Sequence, residues 1–153
     1  MGYKYGVWLV YDPKEFETTH VGHFTITCYM EKEDAYELYK VLKQEYGDMH
    51  YIDVDCNRPI IFEKNMYEDD DNNMNSWGYV GKSTRWNFFK NTVENHFSNN
   101  NYNFSPYPHT SIEYVIIGQK KLQPIQQINK CVLCKMELVD ISSDDPVEWK
   151  VIT

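Results

Sequence analysis

At 153 residues, with 42% hydrophobic and 16% aromatic content, the chain carries enough apolar mass to bury one core, which excludes an intrinsically disordered protein. A formal charge of −8, with Arg58 and Arg85 as its arginines, argues against long nucleic acids, which are held chiefly by neutralising phosphates. No stretch approaches the length of a membrane span and no signal-type apolar segment is visible, so a single soluble cytoplasmic domain over residues 1–153 is expected, without a membrane partner.

Residues 3–11 are rich in aromatic and β-branched side chains and end at Asp12-Pro13, the pattern of a strand closed by a turn. A mixed-charge loop over 14–19 leads to a second strand, 23–30. The spacing of Ala35, Leu38, Tyr39, Leu42 and Tyr46 predicts a helix over 31–46, with an acidic first turn and Gly47 at its C-terminal stop. Strands are predicted at 49–54 and 59–62 around a polar 55–58 connection. An acidic loop follows at 68–73, then a short strand at 76–82 centred on Trp77 and Tyr79. Trp86, Phe89, Val93 and Phe97 predict a second helix over 84–97, capped by Ser83 or Thr84. An Asn-rich loop over 98–107 delivers the chain into a strand at 109–117. A short helix near 122–128, interrupted by Pro124, and two closing strands at 131–141 and 147–152 complete the list. The mixed order points to an α+β fold of two small antiparallel sheets facing a central cleft, with helices outside.

Cys28, Cys56, Cys131 and Cys134 read as reduced thiols without a secretory signal. Cys131 and Cys134 have the spacing of a redox or zinc half-site. They lie in an apolar strand, however, where residues three apart face opposite ways, and no second pair accompanies them. His20 and His23 fail as a metal pair on the same spacing argument, so no metal is expected.

Two strings carry the chemistry: His23-Phe24-Thr25-Ile26 and His109-Thr110-Ser111-Ile112. In a strand, residues two apart share a face, so His23 projects with Thr25 and His109 with Ser111. A third match, His96-Phe97-Ser98, ends a predicted helix, where strand alternation cannot align it. Neutral imidazole accepts a proton and imidazolium donates one near neutral pH, so two such rings across a cleft suit acid–base chemistry on a phosphodiester. Hydroxyls from Thr25 and Ser111 would orient the phosphoryl group and stabilise its developing charge.

These paired His-x-[Ser/Thr]-apolar strings resemble the signature of the 2H phosphoesterase superfamily, which includes RNA ligase-type and cyclic phosphodiesterase enzymes. The order of helix, loop and Pro108-His109-Thr110-Ser111-Ile112 is similar to the family's second half, as are the motif spacing and the terminal strand pair. Ser111 departs from the commoner Thr. The resemblance implies a two-lobed fold, His23 and His109 as acid–base pair, Thr25 and Ser111 on phosphate oxygens, and no cofactor. Asn, Asp and Tyr enrichment would suit an A·T-rich genome, such as that of a large DNA virus or phage. For viral members, the resemblance implies cleavage of a small nucleotide with a 2′–5′ phosphodiester, either 2′,3′-cyclic GMP-AMP or a 2′–5′ oligoadenylate. That would antagonise nucleotide immune signalling in the host cytoplasm.

Alternation along the first strand adds Thr27 and Tyr29 to the His23 face, and along the second adds Glu113. Tyr107, Tyr5, Trp8, Tyr11 and Trp149 could stack on a base, and Lys82 and Arg58 could meet phosphate. Two other readings stay open. One is a 2′,3′-cyclic phosphodiesterase acting on RNA ends or an ADP-ribose cyclic phosphate. The other is a non-catalytic nucleotide-binding sponge.

Overall fold

A computed structural model describes residues 4–62, 74–97, 104–116, 122–143 and 145–152. The expected acidic loop at 68–73 and most of the Asn-rich loop lie outside them. The elements are β1 (Tyr5–Tyr11), β2 (His23–Met30), α1 (Lys32–Tyr46), β3 (Met49–Phe62), β4 (Met74–Lys82), α2 (Trp86–His96), β5 (His109–Ile116), β6 (Asn129–Asp140), a 3-10 turn at Pro146–Glu148 and β7 (Lys150–Val151). No helix among the described residues is long and apolar enough to cross a membrane.

Helix α1 forms as its pattern dictates. Ala35, Leu38, Tyr39 and Leu42 are buried on one stripe, Glu33 and Asp34 lie in the first turn, and Lys43 lies in the last. Gly47 closes it at φ 81°, a conformation an L side chain resists, with its N–H on the Lys43 carbonyl. Helix α2 buries Trp86, Phe89 and Val93. The expected cap at Ser83 or Thr84 is not the one used: the helix begins later, with Arg85 at its N-cap and no side-chain cap bond, and Ser83 Oγ only accepts the Arg85 N–H at 3.2 Å in the turn before it.

The fold is α+β, but the strands do not form two separate sheets. They make one antiparallel seven-stranded sheet in the order β2-β1-β6-β3-β4-β5, with β7 paired to β6. The length of β6 is the reason: residues 134–140 pair with β1 while residues 129–135 pair with β3, which fuses the two halves. One face of the sheet packs on the helices around Val7, Leu9, Ile52, Val132 and Met136. The other carries a smaller cluster of Trp8, Val139 and Ile141.

Three other segments depart from expectation. Strand β3 runs through the predicted 55–58 connection, because Asp55 still pairs with Asn129 and the Cys56 N–H still reaches Ile128 O; only its register with β4 slips there. Residues 122–128 form no helix. The N–H groups of Leu122 and Ile125 go instead to Glu113 Oε1 and the Tyr79 hydroxyl, and Pro124 has none to give. The last predicted strand shrinks to two residues, because Asp145 caps a 3-10 turn just before it.

The sheet curls until its edge strands β2 and β5 touch. Phe104, just before β5, bridges to Thr27, and the Thr19 N–H reaches Ile112 O at 3.2 Å. Both motif strands therefore meet at one seam.

Candidate active site

The two motifs share a backbone device. In β2, Trp8 pairs with Thr25 but Val7 pairs with Thr27, leaving Ile26 as one extra residue. In β5, Gly78 pairs with Ser111 but Trp77 pairs with Glu113, leaving Ile112 extra. Each motif thus carries a β-bulge at its apolar fourth position, a device that re-aims side chains. Gly78 makes room for the second bulge: a Cβ there would lie 1.8 Å from Thr110 O.

The bulges keep His23 with Thr25 and His109 with Ser111 on the face turned away from the helices, and reverse the phase beyond. Thr27 and Glu113 therefore turn inward, against the alternation argument. Thr27 is fully buried. Glu113 is 1% exposed and accepts hydrogen bonds from Trp77 Nε1 and the Leu122 N–H, both at 3.0 Å. Tyr29, at φ 58°, lies six residues past His23, roughly 20 Å along the strand. It is half exposed and does not join the motif pair.

His23 lies flat on Trp8, with ring centroids 3.4 Å apart and an interplanar angle of 6°. Trp8 is 1% exposed, so its ring is a floor for the imidazole rather than a platform open to a base. His23 Nδ1 donates to Val21 O at 2.7 Å, which leaves Nε2 as the free nitrogen. His109 is placed similarly: the backbone of Tyr107, also two residues upstream, is near enough to favour its charged form, and Ser105 Oγ lies 3.4 Å from Nδ1. Phe62 packs on its ring at 4.8 Å. Tyr107 is half exposed and stands edge-on to His109 at 6.4 Å.

Ser111 Oγ lies 2.8 Å from Ser76 Oγ and also bonds to the Tyr114 side chain. Thr25 is half-buried beside Trp8. Tyr11, offered as a stacking residue, is committed to the core through a 2.6 Å hydrogen bond to Thr110 Oγ1. Lys82 is exposed and shares a groove with Asp53, Asp55 and Lys130 at β3 and β6. Arg58 is exposed as well.

Sequence spacing missed His20. The residue precedes β2, so strand divergence does not apply, and the turn folds its ring to 5.6 Å from His23. Tyr114 and Trp149 complete the wall, 4.9 Å from His20 and 6.4 Å from His23 respectively. Tyr114 reaches this face because of the second bulge, and the only hint in the sequence is Gly78 opposite it. Among the described residues, no three His, Cys, Asp or Glu side chains are grouped to hold a metal.

Burial sets the electrostatics. It pulls the pKa of His23 down to about 3, with the charge of His20 and, more weakly, that of His109 acting in the same direction, against the opposing Val21 bond. His20 falls to about 4 through burial, opposed by the Ser111 backbone. Burial also lowers His109, opposed by the Tyr107 bond. Tyr114 is pushed up to about 12 by burial and stays a neutral donor. Cys131 is exposed and Cys134 buried, the opposite orientations expected of a strand pair.

The sequence matches no known protein family and no curated protein. A functional reading rests on these residues and their geometry.

Proposed function

We propose that the chain is a metal-independent phosphodiesterase of the 2H type, acting on a small nucleotide with a 2′–5′ phosphodiester such as 2′,3′-cyclic GMP-AMP or a 2′–5′ oligoadenylate. One observation carries the reading. Two remote His-x-[Ser/Thr]-Ile strings adopt the same bulged geometry on edge strands that meet at a common seam.

In a 2′–5′ linkage a free 3′-OH lies beside the phosphorus. His23, the more deeply buried ring, is held neutral, and its Nε2 takes the 3′-OH proton. The 3′ oxygen forms a bond to phosphorus as the bond to the 5′ oxygen breaks. His109, more exposed, gives its proton to that leaving oxygen. The products are a 2′,3′-cyclic phosphate and a 5′-OH. The phosphodiester anion between the rings favours the imidazolium that burial alone disfavours, so the acid is charged only when substrate is bound. Thr25 and Ser111 donate to the non-bridging oxygens, where charge develops. Each proton transfer is worth about 10²–10⁴-fold in rate.

The test is incubation with a 2′–5′ adenylate dimer, with 2′,3′-cyclic GMP-AMP and with 2′,3′-cyclic AMP in the presence of EDTA, resolved by chromatography. Cleavage to a 2′,3′-cyclic phosphate, lost in His23→Ala and His109→Ala while binding persists, supports the proposal. Opening of 2′,3′-cyclic AMP alone makes the protein a cyclic phosphodiesterase. Binding without turnover by the unmodified protein makes it a nucleotide sponge.

A further inference from the structure

A groove of about 470 Å³ opens on the sheet face that carries His23. Val10 lies at its edge and is the cross-strand partner of His23, so the groove adjoins the candidate reaction centre. Its floor crosses from β1 to β6 and β3 through Val10, Leu133 and Met49, with Lys135 and Lys14 beside them. Met49 and Leu133 are 49% and 38% exposed, and Tyr51, the cross-strand partner of Leu133, is 64% exposed. Three large apolar side chains in adjoining positions on an open sheet face are uncommon unless something covers them.

From the seam, we infer that this groove is the subsite for a nucleoside attached to the scissile phosphate. The inference rests on the phosphodiesterase reading and gives it the surface that holds the second nucleoside. From β2 across β1 and β6 to β3 is three strand spacings, or about 14 Å. A 2′,3′-cyclic mononucleotide seated between the histidines is too short to reach Tyr51. A linked nucleotide extends that way, with its base against Tyr51, Leu133 and Met49. Lys135 and Lys14 supply cations for a further phosphate. Glu137, opposite Trp8 and also lining the groove, offers an acceptor for a ribose hydroxyl or base amino group. A mixed lining of this kind suits a nucleoside better than a bare anion.

The test separates binding from turnover. In His109→Ala protein, dissociation constants are measured by amide shifts for 2′–5′ adenylate dimer, for trimer and for 2′,3′-cyclic AMP. The dimer and trimer are expected to bind about tenfold more tightly than the cyclic mononucleotide and to shift the Val10, Leu133 and Lys135 amides. Leu133→Glu, or Tyr51→Ala as a second exposed-site variant, should bring the ratio of dimer to mononucleotide affinity towards one. Equal affinities, or a ratio unchanged in both variants, overturn the subsite. Groove shifts without cleavage by the unmodified protein leave the subsite standing and remove the enzyme. Cleavage without length dependence does the reverse.

Discussion

Burying His20 and His23 side by side makes the fold sensitive to acid. Their pKa values fall from about 6.5 in an unfolded chain to about 4 and about 3 in the native state. Above pH 6.5 both states are neutral at these rings and stability does not respond. Below it the unfolded chain binds protons that the native rings refuse, so stability falls as pH falls, until the native rings themselves protonate near pH 4 and 3. At pH 5 each ring accounts for about 2 kcal/mol of lost stability, or about 4 kcal/mol together. A small domain has only about 5–15 kcal/mol in total. The perturbation is His20→Gln with His23→Gln, singly and together, since the two rings raise the cost of each other's charge. The assay is urea denaturation at pH 8, 6.5 and 5. The unmodified protein should lose about 4 kcal/mol more between pH 8 and pH 5 than the double variant. His50 and His109 titrate in both proteins and cancel in the comparison. Equal losses in the two proteins would refute the packing of these rings into a desolvated pair.

The same electrostatics predict that binding of adenosine 2′-monophosphate at pH 6 takes up a fraction of a proton, measured by calorimetry in two buffers of unlike ionisation enthalpy; no uptake would mean the anion does not reach the imidazoles. Glu113→Leu should cost about 2–4 kcal/mol in thermal or urea unfolding, because it leaves the buried Trp77 Nε1 and the Leu122 N–H without their acceptor. A change below 1 kcal/mol would place Glu113 outside the core. Gly78→Ala should destabilise by about 3 kcal/mol or more, since its Cβ would overlap Thr110 O at the bulge. Gly47→Ala, strained at φ 81° and ψ −178° but with nothing within 4 Å, should cost less, about 1–3 kcal/mol, and the ranking of the two is the check.

Both helices, most of the strands and the two motifs were legible in the sequence, because periodic apolar residues and helix ends are encoded locally. Ala35, Leu38 and Leu42 had to share a stripe, and His23 had to project with Thr25, whatever the rest of the chain did. The reach of β6 was not legible. That one strand pairs with both β1 and β3 depends on partners distant in sequence, and it turned two expected sheets into one. The bulges at Ile26 and Ile112 were hidden too, because an extra residue is defined only against the strand opposite. They turned Thr27 and Glu113 into the core and Tyr114 out of it. The sequence by itself determined which residues could do proton chemistry and which neighbours shared their faces. Only the tertiary structure decided that the edge strands meet, that Trp8 lies beneath His23, and that Trp149 crowds it, since each of these is a contact between segments that no local pattern connects.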